Sequence, residues 1–182
     1  MNTVITFFEQ YSFLHLIVLF FLFFVIHEVE EWNINTFEHR NFEGVPAAAT
    51  NKSARLWIAF ICLVGLVWFG AAFLSGNPST AAWIILPALG IVMQNAFQHV
   101  IWSIYFRQYV PGLVSAFFLL IPFSGYLMMI AVQRNYIPLW YGILCVVPVV
   151  LGIIQTIRAG NKMPPFIQAI NRLGIYLSEK LG

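Results

Sequence analysis

The chain has 182 residues, of which 60% are hydrophobic and only 9% charged, and its mean hydropathy is +0.82. Soluble domains carry about 25% charged residues, so this composition excludes a soluble globular protein and predicts an integral membrane protein. The formal net charge of +2 gives no reason to expect nucleic acid as a partner.

Five apolar stretches follow one another along the chain, each close to the ~20 residues that a helix needs to cross a bilayer. The expected fold is all-α, a polytopic membrane helical bundle whose transmembrane domain covers residues 1–162. The phenylalanines from Phe20 to Phe24 in the first stretch are expected to face lipid. The predicted spans cover residues 11–32, 54–74, 80–106, 112–132 and 137–158.

Two longer segments lie outside these spans. Residues 33–53 mix Asn, Glu, His, Arg, Gly and Pro, so they are expected to be irregular or partly interfacial. In residues 163–182 apolar side chains recur at steps of four and three, which predicts a C-terminal amphipathic helix. That helix is expected to lie at the membrane interface or, as an equal alternative, to pack on the protein's own loops. The apolar stripe consists of Phe166, Ile170, Leu173, Leu177 and Leu181.

The basic residues predict the orientation of the chain. With five spans the connections alternate between the two sides of the membrane, and Lys and Arg accumulate on the cytoplasmic side. Of the nine basic residues only Arg134 falls on the side of the amino terminus. The amino terminus is therefore expected outside and the carboxyl terminus in the cytoplasm, with a bacterial inner membrane as the compartment.

The stretch HEVEEW at residues 27–32 places one imidazole and three carboxylates at the end of the first apolar run. Ionisable groups in a membrane span are costly and mark functional sites. At about 100° per residue, His27, Glu30 and Glu31 share one helical face, and Glu28 lies at its margin.

A second polar stretch lies in the third span, where Asn95 and His99 are four residues apart and share a helical face. The first and third spans run in the same direction, and both His27 and His99 lie near the predicted cytoplasmic end. The two imidazoles are therefore expected at similar depth. Ser115, just inside the fourth span, is expected to face the same cavity.

Two imidazoles with one or two carboxylates suit a divalent metal ion, with zinc expected first and iron or manganese as alternatives. The predicted ligands are His27, His99 and Glu31 or Glu30. A glutamate that is not a ligand would act as the general base. Glu30 is the expected base, the two glutamates being able to exchange roles, and Asn95 is expected to orient the substrate or to stabilise an oxyanion.

Other interpretations of these residues remain open. The stretch 27–31 could be a solvated helix end in the headgroup region, and Asn95 and His99 could form hydrogen bonds between helices. His39 is expected to be solvated rather than a ligand. His15, in the middle of the first span, is expected to be an isolated packing or hydrogen-bonding residue.

The HEVEE stretch resembles the HXXEE pattern that names a family of small integral membrane proteins. The second half of the chain is similar as well, because Asn95-x-x-x-His99 is followed by Tyr109-Val-Pro-Gly-Leu113. The resemblance covers roughly residues 15–155. The family is of unknown function, so the resemblance supports the choice of residues and implies no reaction.

These residues together predict a metal-dependent membrane enzyme, a hydrolase of a lipid or lipid-like amphiphile at the cytoplasmic headgroup level. The alternative is an ion- or proton-coupled transporter or binding protein that uses the same His/Glu cluster. A structural or assembly partner is a third possibility, and it leaves the polar cluster unexplained. A ferritin-like centre is less favoured, because it needs carboxylates from more helices.

Overall fold

The computed structural model describes residues 11–181. Residues 1–10 of the predicted transmembrane domain and residue 182 of the predicted C-terminal helix therefore lie outside the described part of the chain. The described chain is helical and contains no strand, and five helices are long and apolar enough to cross a membrane. The predicted all-α membrane bundle is confirmed. In chain order the helices are α1 (Phe13–Glu30), α2 (Ile34–Asn41), α3 (Asn51–Leu74), α4 (Pro78–Phe106), α5 (Leu113–Gln133), α6 (Leu139–Ala159) and α7 (Pro165–Leu181).

Capping residues make two of the spans begin earlier than predicted. Helix α3 begins at Asn51 because Thr50 and Ser53 form a capping box, each side chain accepting a hydrogen bond from the other residue's amide. Helix α4 begins at Pro78, since the Asn77 side chain accepts hydrogen bonds from two amides of its first turn. Proline suits this first position because its missing amide hydrogen has no partner there in any case.

The segment 33–53 is irregular only in part, because residues 34–41 form α2. Ile34 and Phe37 on one side of this helix are buried in a small apolar cluster with Phe42 and Trp102. This burial stabilises a short helix whose composition is mostly polar, since helices of this length are held by packing rather than by propensity. The polar composition of residues 34–41 therefore does not predict this helix.

Helix α4 is the centre of the bundle and packs against α1, α3, α5 and α6. Its interior Pro87 has no amide hydrogen to donate to the carbonyl of Trp83 one turn earlier. The hydroxyl of Tyr141 on α6 donates to that carbonyl instead, at 2.8 Å. The helix therefore passes through the proline with this backbone group satisfied.

The expectation that the phenylalanines from Phe20 to Phe24 face lipid is wrong. Phe20 and Phe24 are buried, and the other two are half-buried. The Phe20 ring stacks on Phe69 of α3 and Phe123 of α5, with centroids 5.6 and 6.3 Å apart. Because α1 is apolar on every side, its sequence does not indicate which side meets the bundle.

Helix α7 packs along α3 and buries Ile167, Asn171 and Gly174. The glycine permits a close approach, because a Cβ at Gly174 would lie 2.7 Å from the carbonyl oxygen of Ser53. The predicted apolar stripe lies beside this buried side, and most of it is exposed. The tail thus combines a protein contact with an apolar surface. The exposed apolar residues are Phe166, Leu173, Tyr176 and Leu181.

The contact between α4 and α6 depends on Gly90, where an added Cβ would lie 2.6 Å from the carbonyl oxygen of Cys145. We expect Gly90→Ala to destabilise the protein by about 1–3 kcal/mol, because the backbone of a packed helix must move. The measurement is the thermal unfolding midpoint in detergent. Gly70→Ala is the matched control, since a Cβ at Gly70 in α3 has no heavy atom within 4 Å. Equal midpoints for the two variants would contradict this close packing.

Candidate metal centre

Two histidines and one glutamate converge where the end of α1 meets α4. His27 and Glu31 lie one helical turn apart, and His99 of α4 faces both. The Nε2 atom of each imidazole lies 2.8 Å from the same oxygen, Glu31 Oε1. The two ring centroids are 5.0 Å apart. The three ligand atoms lie within 4.8 Å of one another, so this group could hold a metal ion.

The hydrogen bonds of His27 show how its ring is oriented. Nδ1 lies 3.1 Å from the carbonyl oxygen of Gly112, which can only accept, so Nδ1 carries the hydrogen. The Asn95 amide donates to Nε2 at 3.1 Å and to Glu31 Oε1 at 3.4 Å. In the neutral ring, Nε2 therefore presents a lone pair to the carboxylate oxygen at 2.8 Å. A proton or a metal ion between the two atoms makes that approach favourable.

This donor set fits a divalent metal ion. Two imidazoles and a carboxylate are common ligands of zinc, iron and manganese. Metal-binding histidines usually donate their other ring N–H to a carbonyl or a carboxylate, as His27 does to Gly112. Three protein ligands also leave a coordination position for water or substrate, which is typical of catalytic rather than structural sites.

Glu30 does not join this group, in contrast to its predicted role as ligand or base. Its carboxylate accepts hydrogen bonds from the backbone amides of Val114 and Ser115, at 3.0 and 2.8 Å. The hydroxyls of Ser115 and Tyr109 also donate to it, at 2.5 and 2.7 Å. Both oxygens are therefore engaged. Glu30 satisfies the free amides at the start of α5, where a negative charge is also favourable.

Ser115 connects Glu30 to the candidate metal centre, the group formed by His27, Glu31 and His99. Its hydroxyl donates to Glu30 and accepts from His27 Nδ1 at 2.9 Å. A carboxylate linked in this way to a ligand histidine fixes the orientation of the ring and strengthens it as a ligand. Partial burial and the hydrogen bond to Glu30 raise the pKa of Tyr109 to about 12. The tyrosine therefore stays protonated, and a donor, at neutral pH.

Gly112 allows the connection between α4 and α5 to pack closely against His27, Glu31 and His99. Its φ is +91°, a conformation that favours glycine. A Cβ would lie 2.9 Å from His27 Cε1 and 3.0 Å from both Glu31 Cγ and His99 Cε1. The glycine thus supplies a carbonyl to His27 and leaves room for all three side chains. Sequence reasoning missed this role, although the Pro-Gly pair is typical of a turn.

The other two histidines of the described chain lie outside the ligand group. His39 on α2 bonds through Nε2 to the carbonyl oxygen of Ala49 at 2.8 Å. His15 near the start of α1 bonds through Nδ1 to the Ser12 hydroxyl at 2.6 Å. Each therefore makes a local structural contact.

A cavity of about 320 Å³ borders the candidate metal centre. Its walls come from α1, α3 and α4, and α2 and α7 also contribute to it. Helix α3 lines it from Ser53 to Phe69, about 24 Å along the helix axis. Most of this lining is apolar, and Glu31 and Asn95 belong to both the cavity and the metal centre. The polar lining residues are Glu28, Glu31, Glu38, Ser53, Gln94, Asn95 and Asn171.

Glu38 of α2 is a buried carboxylate in the wall of this cavity. Its Oε2 accepts hydrogen bonds from the side-chain amides of Asn35 and Asn171, at 2.6 and 2.9 Å. Burial raises the pKa of the Glu38 carboxyl, and the two amides only partly offset this effect. Sequence reasoning missed Glu38 because it lies in the segment expected to be irregular.

The fold and the centre define a polytopic helical membrane protein with a His/Glu group that could hold a metal ion. Residues 18–127 match the model of a family described as a protein of unknown function with HXXEE motif, and the chain belongs to this family. The match contains the three converging residues and Gly112, and it ends before α6 and α7. No curated protein and no solved structure matches the chain.

Proposed function

We propose that this protein is a membrane hydrolase that uses a divalent metal ion to cleave a lipid or lipid-like amphiphile. The observation that carries the proposal is the position of His27, Glu31 and His99 beside a largely apolar cavity. The cavity volume falls at the lower end of the range for ligand sites, about 300–1,000 Å³. An amphiphile bound there lies with its chain along α3 and its polar part beside Glu31.

His27, His99 and Glu31 would hold the ion, with zinc as the first choice and iron or manganese as alternatives. When bound, a divalent ion supplies Lewis acidity, which polarises an ester or amide carbonyl and lowers the pKa of water. The Asn95 amide lies beside the ligands, where it can donate to the carbonyl oxygen of the substrate.

Glu28 suits the role of general base better than Glu30 does. Its side chain is buried, lines the cavity and accepts no hydrogen bond from the described part of the chain. In the proposed reaction, Glu28 takes a proton from water as the water oxygen bonds to the carbonyl carbon. The carboxyl then returns that proton to the leaving oxygen or nitrogen as its bond to carbon breaks. The products are a carboxylic acid and an alcohol or amine.

We also propose that the protein resides in a bacterial inner membrane, with its amino terminus outside and α7 in the cytoplasm. The support is the distribution of Lys and Arg, which accumulate on the cytoplasmic side of membrane proteins. Of the nine basic residues, only Arg134 falls on the side of the amino terminus. In this orientation the metal centre lies near the cytoplasmic surface.

An ion- or proton-coupled transporter or binding protein is the second candidate. Glu28 and Glu38 favour it, because both are buried carboxylates beside a cavity in a membrane protein. Buried acidic groups of this kind serve as proton relays in pumps and transporters. A relay of this kind requires no hydrolysis.

The test uses purified, zinc-loaded protein in lipid nanodiscs, with a long-chain fluorogenic ester as substrate and fatty-acid release as the readout. We expect Glu28→Gln to lower turnover by about 10²–10⁴-fold, the usual contribution of a general base, while zinc content stays that of the wild type. Glu179→Gln, an exposed position on α7, is the matched control and should retain full activity. A zinc-loaded wild type that releases no fatty acid from esters or from extracted membrane lipids would overturn the hydrolase proposal.

A further inference from the structure

The polar part of the cavity lining is strongly acidic. Glu28, Glu31 and Glu38 contribute three carboxylates, and the lining contains no Lys, Arg or His among the residues that the structure describes. Burial favours the neutral form of each carboxyl group, whereas a cation beside one of them favours its ionised form. A cavity with this lining therefore suits a ligand that carries a positive charge.

Glu38 is the carboxylate best placed to meet that cation. Asn35, Asn171 and Glu38 form a closed set of hydrogen bonds, in which Asn35 also donates to Asn171 Oδ1 at 3.0 Å. These contacts fix the carboxylate between α2 and α7 through Oε2. No residue between 11 and 181 donates a hydrogen bond to Oε1. The side chain is only 4% exposed, so the cavity is where Oε1 can find a partner.

The remainder of the lining indicates what carries the positive charge. The wall along α3 is apolar for about four helical turns, and it includes the rings of Trp57 and Trp68. A small inorganic cation would leave this wall without a ligand. An amphiphile with a cationic head satisfies both parts of the cavity, because the head pairs with the carboxylate and the chain covers the apolar wall.

We propose that the cavity binds an amphiphile with one hydrocarbon chain and a positively charged nitrogen head group, and that Glu38 pairs with the nitrogen. As a statement about the substrate this rests on the proposed function, but the binding itself requires neither the metal ion nor turnover. Amphiphiles with a phosphate or sulfate head are disfavoured, because three carboxylates repel them. Glu38 is a specificity-determining residue in this proposal, separate from the ligands and the base.

The test measures binding to the full-length protein in micelles of an uncharged maltoside detergent. The probes are a brominated dodecyl trimethylammonium ion and a brominated dodecyl sulfate, whose bromine atoms quench the fluorescence of Trp57 and Trp68. Subtracting the quenching of a Trp57→Phe, Trp68→Phe variant removes the contribution of tryptophans elsewhere. We expect half-saturation by the ammonium probe at a concentration at least tenfold lower than by the sulfate probe. Equal half-saturation of the wild type by both probes would overturn the proposal.

Two substitutions assign the preference to Glu38. Glu38→Gln keeps the size and can still accept the amide hydrogen bonds, and it should remove most of the tenfold preference. Glu38→Asp keeps the charge and should retain a preference for the ammonium probe. Glu179→Gln is the exposed control and should behave as the wild type. An unchanged preference in Glu38→Gln would refute the assignment, and if that variant does not fold, the wild-type and Glu38→Asp results decide.

A third variant separates this proposal from the hydrolase proposal. His99→Ala removes a metal ligand but leaves the Glu38 site intact, so we expect it to bind the ammonium probe as the wild type does. Retained preference in this variant supports a cationic-head site even if no hydrolysis is found. Preference that disappears together with the metal ion would contradict a site at Glu38.

Discussion

Replacing His99 with alanine is expected to abolish metal binding. The purified wild type should retain about one divalent ion per chain after dialysis, and the variant close to none. The reason is that the ligand atoms of the two imidazoles and of Glu31 lie within 4.8 Å of one another. The loss of one ring leaves only two of these three protein ligands. Elemental analysis of the dialysed protein measures the effect, and His27→Ala should give the same result.

His15→Ala is the control for this loss. His15 lies on the same helix as His27, but among residues 11–181 its ring bonds to Ser12, at the start of that helix, and to no other residue. Its replacement should leave the metal content unchanged. A folded wild type that binds no divalent ion would contradict the metal centre and would favour a proton between His27 and Glu31.

Replacing Ser115 with alanine is expected to weaken metal binding by about 10–100-fold, the usual effect of removing a group that orients a ligand histidine. The Ser115 hydroxyl is the only side-chain link between the Glu30 carboxylate and His27 in the described structure. Without it, the ring keeps its hydrogen bond to Gly112 but loses the influence of the negative charge. Competition with a chromophoric chelator gives the two affinities.

Ser124→Ala is the matched control for Ser115→Ala. Ser124 lies on the same helix and is completely buried, and its hydroxyl has no hydrogen-bond partner within residues 11–181. The substitution therefore removes the same atom from a similar environment without touching the metal centre. Equal affinities in Ser115→Ala and the wild type would show that the link has no effect on the ligand.

The spans could be predicted from the sequence because bilayer thickness sets a minimum length for apolar runs. Their ends could be placed only to within a few residues, since caps such as Thr50 and Asn77 determine where each helix begins. The helix α2 could not be predicted, because its stability comes from the burial of Ile34 and Phe37 against residues distant in sequence. The composition of this segment does not indicate that contact.

The convergence of His27 and His99 could be predicted from their depth in two parallel spans. The separation of Glu30 from Glu31 could not be predicted. These residues point to opposite flanks of His27 on the helix, and the sequence does not say which helix lies on each flank. In the structure α4 lies beside Glu31 and α5 lies beside Glu30. Two neighbouring glutamates therefore have different roles: Glu31 is a candidate metal ligand, and Glu30 caps the start of α5.

The pairing of Glu30 with the first turn of α5 has a consequence for biogenesis. Its donors lie 79 to 85 residues later in the chain, so they have not yet been synthesised when α1 leaves the ribosome. Until α4 and α5 have been synthesised, the carboxylate of Glu30 needs other polar partners. We expect α1 to remain near the polar edge of the bilayer or bound to the insertion machinery during that time. We therefore expect α1 to reach its final position only after α5 has been made, and a chain truncated before Val114 lacks the backbone donors of Glu30.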